Sequence, residues 1–150
     1  LEEQRGKIIE INAAPGLRMH LEPSSGEGRP VGEAIVDMLF PTGDSGRIPI
    51  VAVTGVNGKT TTTRMVAHMH KLAGARVGLC TTDGVYIDGQ KTVAGDLTGP
   101  VAARMVLSDP TVDVAVLETA RGGMLRAGLG FDGPDVSCVL NVSSDHLGLG

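Results

Sequence analysis

Nine consecutive residues, Val53-Thr54-Gly55-Val56-Asn57-Gly58-Lys59-Thr60-Thr61, contain the parts a protein needs to hold a row of phosphates. Glycines let backbone N–H groups approach anionic oxygens, and the N-terminus of a following helix adds a favourable dipole. A lysine reaches the terminal phosphates, and a hydroxyl directly after it can reach Mg²⁺. Gly55, Gly58, Lys59 and Thr60 supply these in that order. The general phosphate-loop pattern is G-x-x-x-x-G-K-[ST]; Val53 stands at its first glycine, and Gly55 and Asn57 are distinctive additions. The candidate nucleotide-binding set is therefore Thr54, Gly55, Asn57, Gly58, Lys59, Thr60 and Thr61. A carboxylate belongs with the hydroxyl at a magnesium site. Glu118 ends an apolar run, VAVLE, where it can hold Mg²⁺ in the crevice at the strands' carboxyl ends. A solvated strand end is the alternative reading for Glu118.

Periodicity predicts the elements that carry these residues. IPIVAV, 48–53, is wholly apolar and short, as a buried parallel strand is. A helix is expected over 60–73, with Met65, Met69, Leu72 and Ala73 as its apolar face and Gly74 just past its end. Further strands are expected over 76–82, 112–118 and 135–142. A hairpin over 85–93 should turn at Asp88-Gly89. Pro100 opens a helix to about Ser108, and a shorter helix is expected over 124–129. Strands alternating with helices imply an α/β fold with a mostly parallel sheet. Upstream, Lys7–Ile11 alternates like a strand and breaks at Ala14-Pro15-Gly16. PSSGEGRP has linker composition, and Val31, Ile35, Met38 and Leu39 fall at helical spacing over 31–40.

Composition narrows the function. The 150 residues are 41% apolar and carry a net charge of −4, enough for a packed core and against disorder. With no basic patch and only three aromatics, Phe40, Tyr86 and Phe131, nucleic acid is not an expected partner. No apolar run approaches membrane-spanning length, so no membrane is expected either. Cys80 and Cys138 sit in apolar runs and read as reduced core thiols of a cytoplasmic protein. The 22 glycines cluster at strand-to-helix turns, where a ligand approaches backbone closely. A start at Leu1 and a stop at Gly150 directly after a motif read as an internal piece of a longer protein.

The loop at 53–61 resembles the ATP-binding loop of the Mur ligase superfamily, which includes the folylpolyglutamate synthetases. Such enzymes activate a carboxylate as an acyl phosphate and let an amine attack it. The segment Asn141-Val142-Ser143-Ser144-Asp145-His146 resembles the superfamily's N-x-x-x-D-H stretch. The resemblance implies that His146 ligates a second Mg²⁺, with Asn141 and Asp145 organising the site and Asn141 among the nucleotide-binding residues. It also implies catalytic roles for Lys59, Glu118 and His146, with Thr60 and Glu118 on the first ion. Thr98-Gly99-Pro100 is similar to the superfamily's T-T-P turn near the metals; a helix N-cap is the alternative for Thr98. Arg121 is expected to meet either the acidic acceptor or a phosphate, or to be an ordinary solvated arginine.

Glu10-Ile11-Asn12-Ala13-Ala14-Pro15-Gly16 resembles the last Mg²⁺-binding strand of the ATP-grasp fold, E-x-N-x-x-P-G. Alternate strand positions share a face, so Glu10 and Asn12 could present two oxygens to the same ions. An ATP-grasp end followed by a Mur-type start is similar to the layout of the cyanophycin synthetase family. NAAPGLRMHL, PIVAVTGVNGKTTTTRMVAH, GDLTGP and VAVLETARGGMLRAGLGFD carry that resemblance along nearly the whole chain. It implies residues 1–22 as the end of an ATP-grasp domain, 23–47 as a linker with a short helix, and 48–150 as the first part of a Mur-like ATP-binding domain. It further implies ATP and Mg²⁺ as cofactors. L-aspartate, L-arginine and a cyanophycin primer are the implied partners, and the full-length form is a homo-oligomer. A peptidoglycan-type Mur ligase, a folylpolyglutamate synthetase and a nucleotide-sensing module that binds ATP without ligating are the alternatives.

Overall fold

The computed structural model describes residues 10–144. They fall into two compact units that divide between Arg47 and Ile48. The first unit carries two helices, α1 (Arg18–Leu21) and α2 (Val31–Leu39). The helical spacing at Val31, Ile35 and Met38 is realised in α2, yet none of its residues is buried. Of the strand expected at 7–11, residues 7–9 lie outside the described residues, and Glu10 and Ile11 have no strand structure. Among the described residues no neighbour pairs with this segment, and an extended segment without a ladder partner is not a stable strand.

The second unit is the α/β body. Its elements are β1 (Ile50–Thr54), α3 (Lys59–Leu72), β2 (Val77–Thr81), β3 (Gly84–Ile87), β4 (Gln90–Ala94), α4 (Pro100–Leu107), β5 (Val114–Glu118), α5 (Arg121–Ala127) and β6 (Val136–Val139). The sheet order is β4-β3-β2-β5-β1-β6. The β2–β5, β5–β1 and β1–β6 pairs are parallel, whereas β3 and β4 add antiparallel at one edge. The hairpin turns where expected: Asp88 and Gly89 have φ of 50° and 81°, the left-handed pair of a type I′ turn.

β5 is the hub of the core, buried along its whole length. Its residues alternate between two clusters, as a period of two requires. Ala115 and Leu117 join Ile50, Cys80, Val85 and the α4 residues Ala102, Ala103 and Val106. Val114 and Val116 join Val77 and Ala67 of α3. The apolar face expected for α3 is not the face that packs on the sheet. Met65, Met69 and Leu72 are 61%, 59% and 75% exposed, and Ala73 is exposed too. The helix instead buries Thr63 and Ala67. Small side chains let α3 approach the sheet closely, and the Thr63 hydroxyl is satisfied internally, donating to the Lys59 carbonyl at 2.7 Å.

Two boundaries also differ. α5 starts at Arg121, three residues before the expected position, because Gly122-Gly123 reads as a breaker in sequence yet lies within the helix. β6 stops at Val139 rather than Val142 and is, among the described residues, the edge strand opposite β4, with Val136 and Val139 exposed.

Candidate active site

Register brings the chemistry to one end of the sheet. Val53 of β1 stands level with Glu118 of β5, and Thr54 with Val139 of β6. The phosphate loop and the acidic residue thus emerge side by side at the carboxyl ends of parallel strands. The loop bends through Gly55 and Gly58, whose φ values of 137° and 87° favour glycine. Gly58 is the N-cap of α3 and offers no side chain, leaving the helix N-terminus open to an anion.

Asn141 braces the loop. Val56 N–H and Asn57 N–H both donate to its Oδ1, at 3.1 and 2.9 Å, while its Nδ2 donates to the Asn57 carbonyl at 2.9 Å. Its amide is thereby engaged with loop backbone, which gives Asn141 a scaffolding part. Lys59 Nζ donates to the Val56 carbonyl at 3.0 Å, so the ammonium is folded across the same loop.

Thr60 and Glu118 meet directly. The Thr60 hydroxyl donates to Glu118 Oε2 at 2.9 Å, and Thr82 N–H donates to the same oxygen at 3.3 Å. Glu118 is 1% exposed, and its second oxygen, Oε1, is buried with no hydrogen-bond partner among the described residues. A buried carboxylate oxygen left bare is costly unless a cation or donor meets it. Carboxylate and hydroxyl oxygens are the donor set that suits Mg²⁺, so these residues fit the ion. Behind them Cys80 is fully buried, and burial pushes its thiol up to about 12, so it is an inert packing group.

Beside the loop lies a cavity of about 670 Å³, lined by Gly55, Lys59, Thr98, Arg121, Asn141 and Ser143 among others. Thr98 is not the cap of α4; that position is Gly99, and the Thr98 hydroxyl donates to Asp96 Oδ1 at 3.2 Å. Arg121, at the start of α5, faces the cavity. Thr54 and Thr61 flank the loop, with Thr54 on the cavity wall. Asp145 and His146 lie outside the described residues. Glu10 and Asn12 belong to the first unit, both exposed, with Asn12 Nδ2 donating to Glu10 Oε1 at 3.0 Å. Sequence reasoning missed Thr82, whose hydroxyl is 3.3 Å from that of Thr60. The available signal was a Thr-Thr pair at the end of an apolar strand, where a parallel sheet places its ligands.

Comparison with known proteins identifies the family. Along its whole length the chain is 60% identical to a cyanophycin synthetase of Trichormus variabilis and 59% identical to one of Synechocystis sp.. It spans 17% of the length of each of these relatives. A solved UDP-N-acetylmuramoyl-L-alanyl-D-glutamate–2,6-diaminopimelate ligase superimposes with a TM-score of 0.56 at 30% identity, covering 67% of this chain and 21% of that one. The family model of the Mur ligase middle domain matches residues 53–149, the stretch that holds the loop, Glu118 and Asn141. The chain therefore belongs to the Mur ligase family, and residues 53–149 of its α/β body match that family's middle domain.

Proposed function

We propose that this chain is part of an ATP-dependent amide ligase that builds multi-L-arginyl-poly-L-aspartate. The observation that carries the reading is the buried Glu118 carboxylate, which among the described residues keeps one oxygen unpartnered beside Thr60 at the head of a phosphate loop. The whole-length identity with relatives named cyanophycin synthetase supports the choice of polymer. In the reaction the γ-phosphoryl group of ATP passes to an aspartate side-chain carboxylate, and ADP leaves. The arginine amine then attacks the acyl phosphate, the amide forms, and phosphate departs.

The chain's own residues do the following. The loop N–H groups and the N-terminus of α3 hold the phosphates. Lys59 leaves the Val56 carbonyl for the terminal phosphate and stabilises charge on the transferring group. Thr60 and Glu118 hold one Mg²⁺, and His146 a second. When bound, these ions spread the negative charge of the phosphoryl oxygens. The cavity beside Lys59 takes the acceptor. Glu10 and Asn12 belong to an ATP-grasp site that adds aspartate. The enzyme works in the cytoplasm, where ATP and free amino acids are drawn, as a homo-oligomer.

Lys59→Ala in the full-length protein tests this. It should cut arginine addition to a primer with a free aspartate side chain roughly a hundredfold or more. Addition of aspartate to an arginine-capped primer should persist, and Asn12→Ala should show the reverse. Loss of both activities in a folded Lys59→Ala protein, or of aspartate addition alone, refutes the assignment.

A further inference from the structure

The turn between β2 and β3 is held by more polar contacts than a turn needs. Asp83 accepts from the Thr81 hydroxyl through Oδ1. Its Oδ2 accepts from the Tyr86 hydroxyl at 2.6 Å and from the Arg64 guanidinium at 2.5 Å, with Lys91 Nζ at 3.5 Å. Both cations also lie over the Tyr86 ring, at 6.0 Å for Arg64 and 5.2 Å for Lys91. The Thr81 and Tyr86 hydroxyls, and then Arg64, hold the Asp83 carboxyl well below the usual carboxylate range. An exposed ion pair contributes little to stability, so folding alone is a poor reason for this convergence.

The geometry gives a better reason. Thr60 and Arg64 are four residues apart on α3 and share one helix face. Thr82 and Asp83 are adjacent in the turn. The Thr60–Thr82 contact and the Arg64–Asp83 ion pair therefore tie the same helix face to the same turn. Thr82 N–H in turn donates to Glu118 Oε2, the oxygen that Thr60 also engages. With Oε2 fixed from two sides, the orientation of the carboxylate is set and Oε1 is left for a ligand.

We propose that Asp83 is a positioning residue for the metal site: with Arg64, Tyr86 and Lys91 it clamps the β2–β3 turn against α3, so that Thr82 and Thr60 together orient Glu118 toward a divalent cation. The proposal rests on the metal-dependent ligase reading above. It names residues outside the phosphate loop as determinants of metal affinity rather than of nucleotide affinity.

The test is Mn²⁺ titration of the full-length protein with ADP present, read by electron paramagnetic resonance, which needs no amino-acid substrate. Asp83→Asn should raise the Mn²⁺ dissociation constant at least fivefold. ADP affinity without metal should stay within twofold. Arg64→Gln, at an exposed position that folding tolerates, should shift Mn²⁺ binding in the same direction, and Tyr86→Phe by less. Unshifted Mn²⁺ affinity in both Asp83→Asn and Arg64→Gln overturns the proposal. So does equal weakening of Mn²⁺ and metal-free ADP binding, which marks a merely structural clamp. Arginine addition is measured in parallel on the parent enzyme. Its absence, with the Mn²⁺ shift present, sinks the ligase reading and leaves the positioning role standing.

Discussion

Replacing Glu118 with glutamine separates the cost of a buried charge from its use. The amide oxygen can take the place of Oε2 and keep the bonds from the Thr60 hydroxyl and Thr82 N–H. Bonds to a charged acceptor contribute about 1.5–3 kcal/mol and neutral ones about 0.5–1.5 kcal/mol, so these two weaken by about 1 kcal/mol each. Against this, the unpartnered Oε1 at a position 1% exposed carries a desolvation cost of about 1–3 kcal/mol, and the neutral amide relieves part of it. The two terms nearly cancel. Metal-free stability of Glu118→Gln should stay within about 1 kcal/mol of the parent, against the 3–5 kcal/mol typical of breaking a buried ion pair. Ligand binding should behave oppositely. Mg²⁺-ADP at about 100 times its dissociation constant stabilises the folded state by about 2.7 kcal/mol. A hundredfold loss of affinity leaves about 0.4 kcal/mol of that increment. Thermal unfolding of the full-length protein, with and without Mg²⁺-ADP, reads both quantities. A metal-free loss above about 2 kcal/mol, or an undiminished Mg²⁺-ADP increment, would refute the reasoning.

Two further outcomes follow from burial and backbone. Gly55→Ala should cost about 1–3 kcal/mol and weaken nucleotide binding, because φ is +137° and the new Cβ would meet Asn141 N and Leu140 Cβ at 3.1 Å each; thermal unfolding and ADP calorimetry check this. Cys80, with its thiol pushed up to about 12 by burial, stays protonated in the folded state while the unfolded thiol ionises near ~8.5. The unfolded state then binds fewer protons, so this group's contribution to stability falls as pH rises from ~8.5 toward about 12, by at most ~1.4 kcal/mol per pH unit. Cys80→Ala should flatten that alkaline decline in urea unfolding, and native Cys80 should resist iodoacetamide at pH 8.

The strands of the α/β body and the phosphate loop were legible because their signals are local. IPIVAV can be little other than a buried parallel strand, and Asp88-Gly89 fixes a hairpin by backbone preference alone. The face of α3 was not legible, because apolar periodicity follows the largest side chains. Close packing on the sheet instead selected Thr63 and Ala67 and left Met65, Met69 and Leu72 outward. Gly122-Gly123 hid the start of α5, since propensity counts against glycine in a helix while the chain is helical from Arg121. Glu118 and Thr60 could be nominated separately from sequence. That they touch, that Thr82 completes their contact, and that Asn141 serves the loop backbone are consequences of strand order, which no short window of sequence contains.

Strand order also sets a schedule for synthesis on the ribosome. β5 lies between β1 and β2, yet it ends at Glu118, roughly sixty residues after β1 ends at Thr54. At ~5–20 residues per second, β1 waits several seconds for its parallel neighbour. The β2–β3–β4 meander can close at once through local antiparallel turns, but the two central parallel ladders cannot begin until β5 arrives as the keystone. The phosphate loop settles later still, since its brace, Asn141, is made after β6. During that interval IVAVT is an unpaired apolar segment, the kind of stretch a nascent-chain chaperone would engage first.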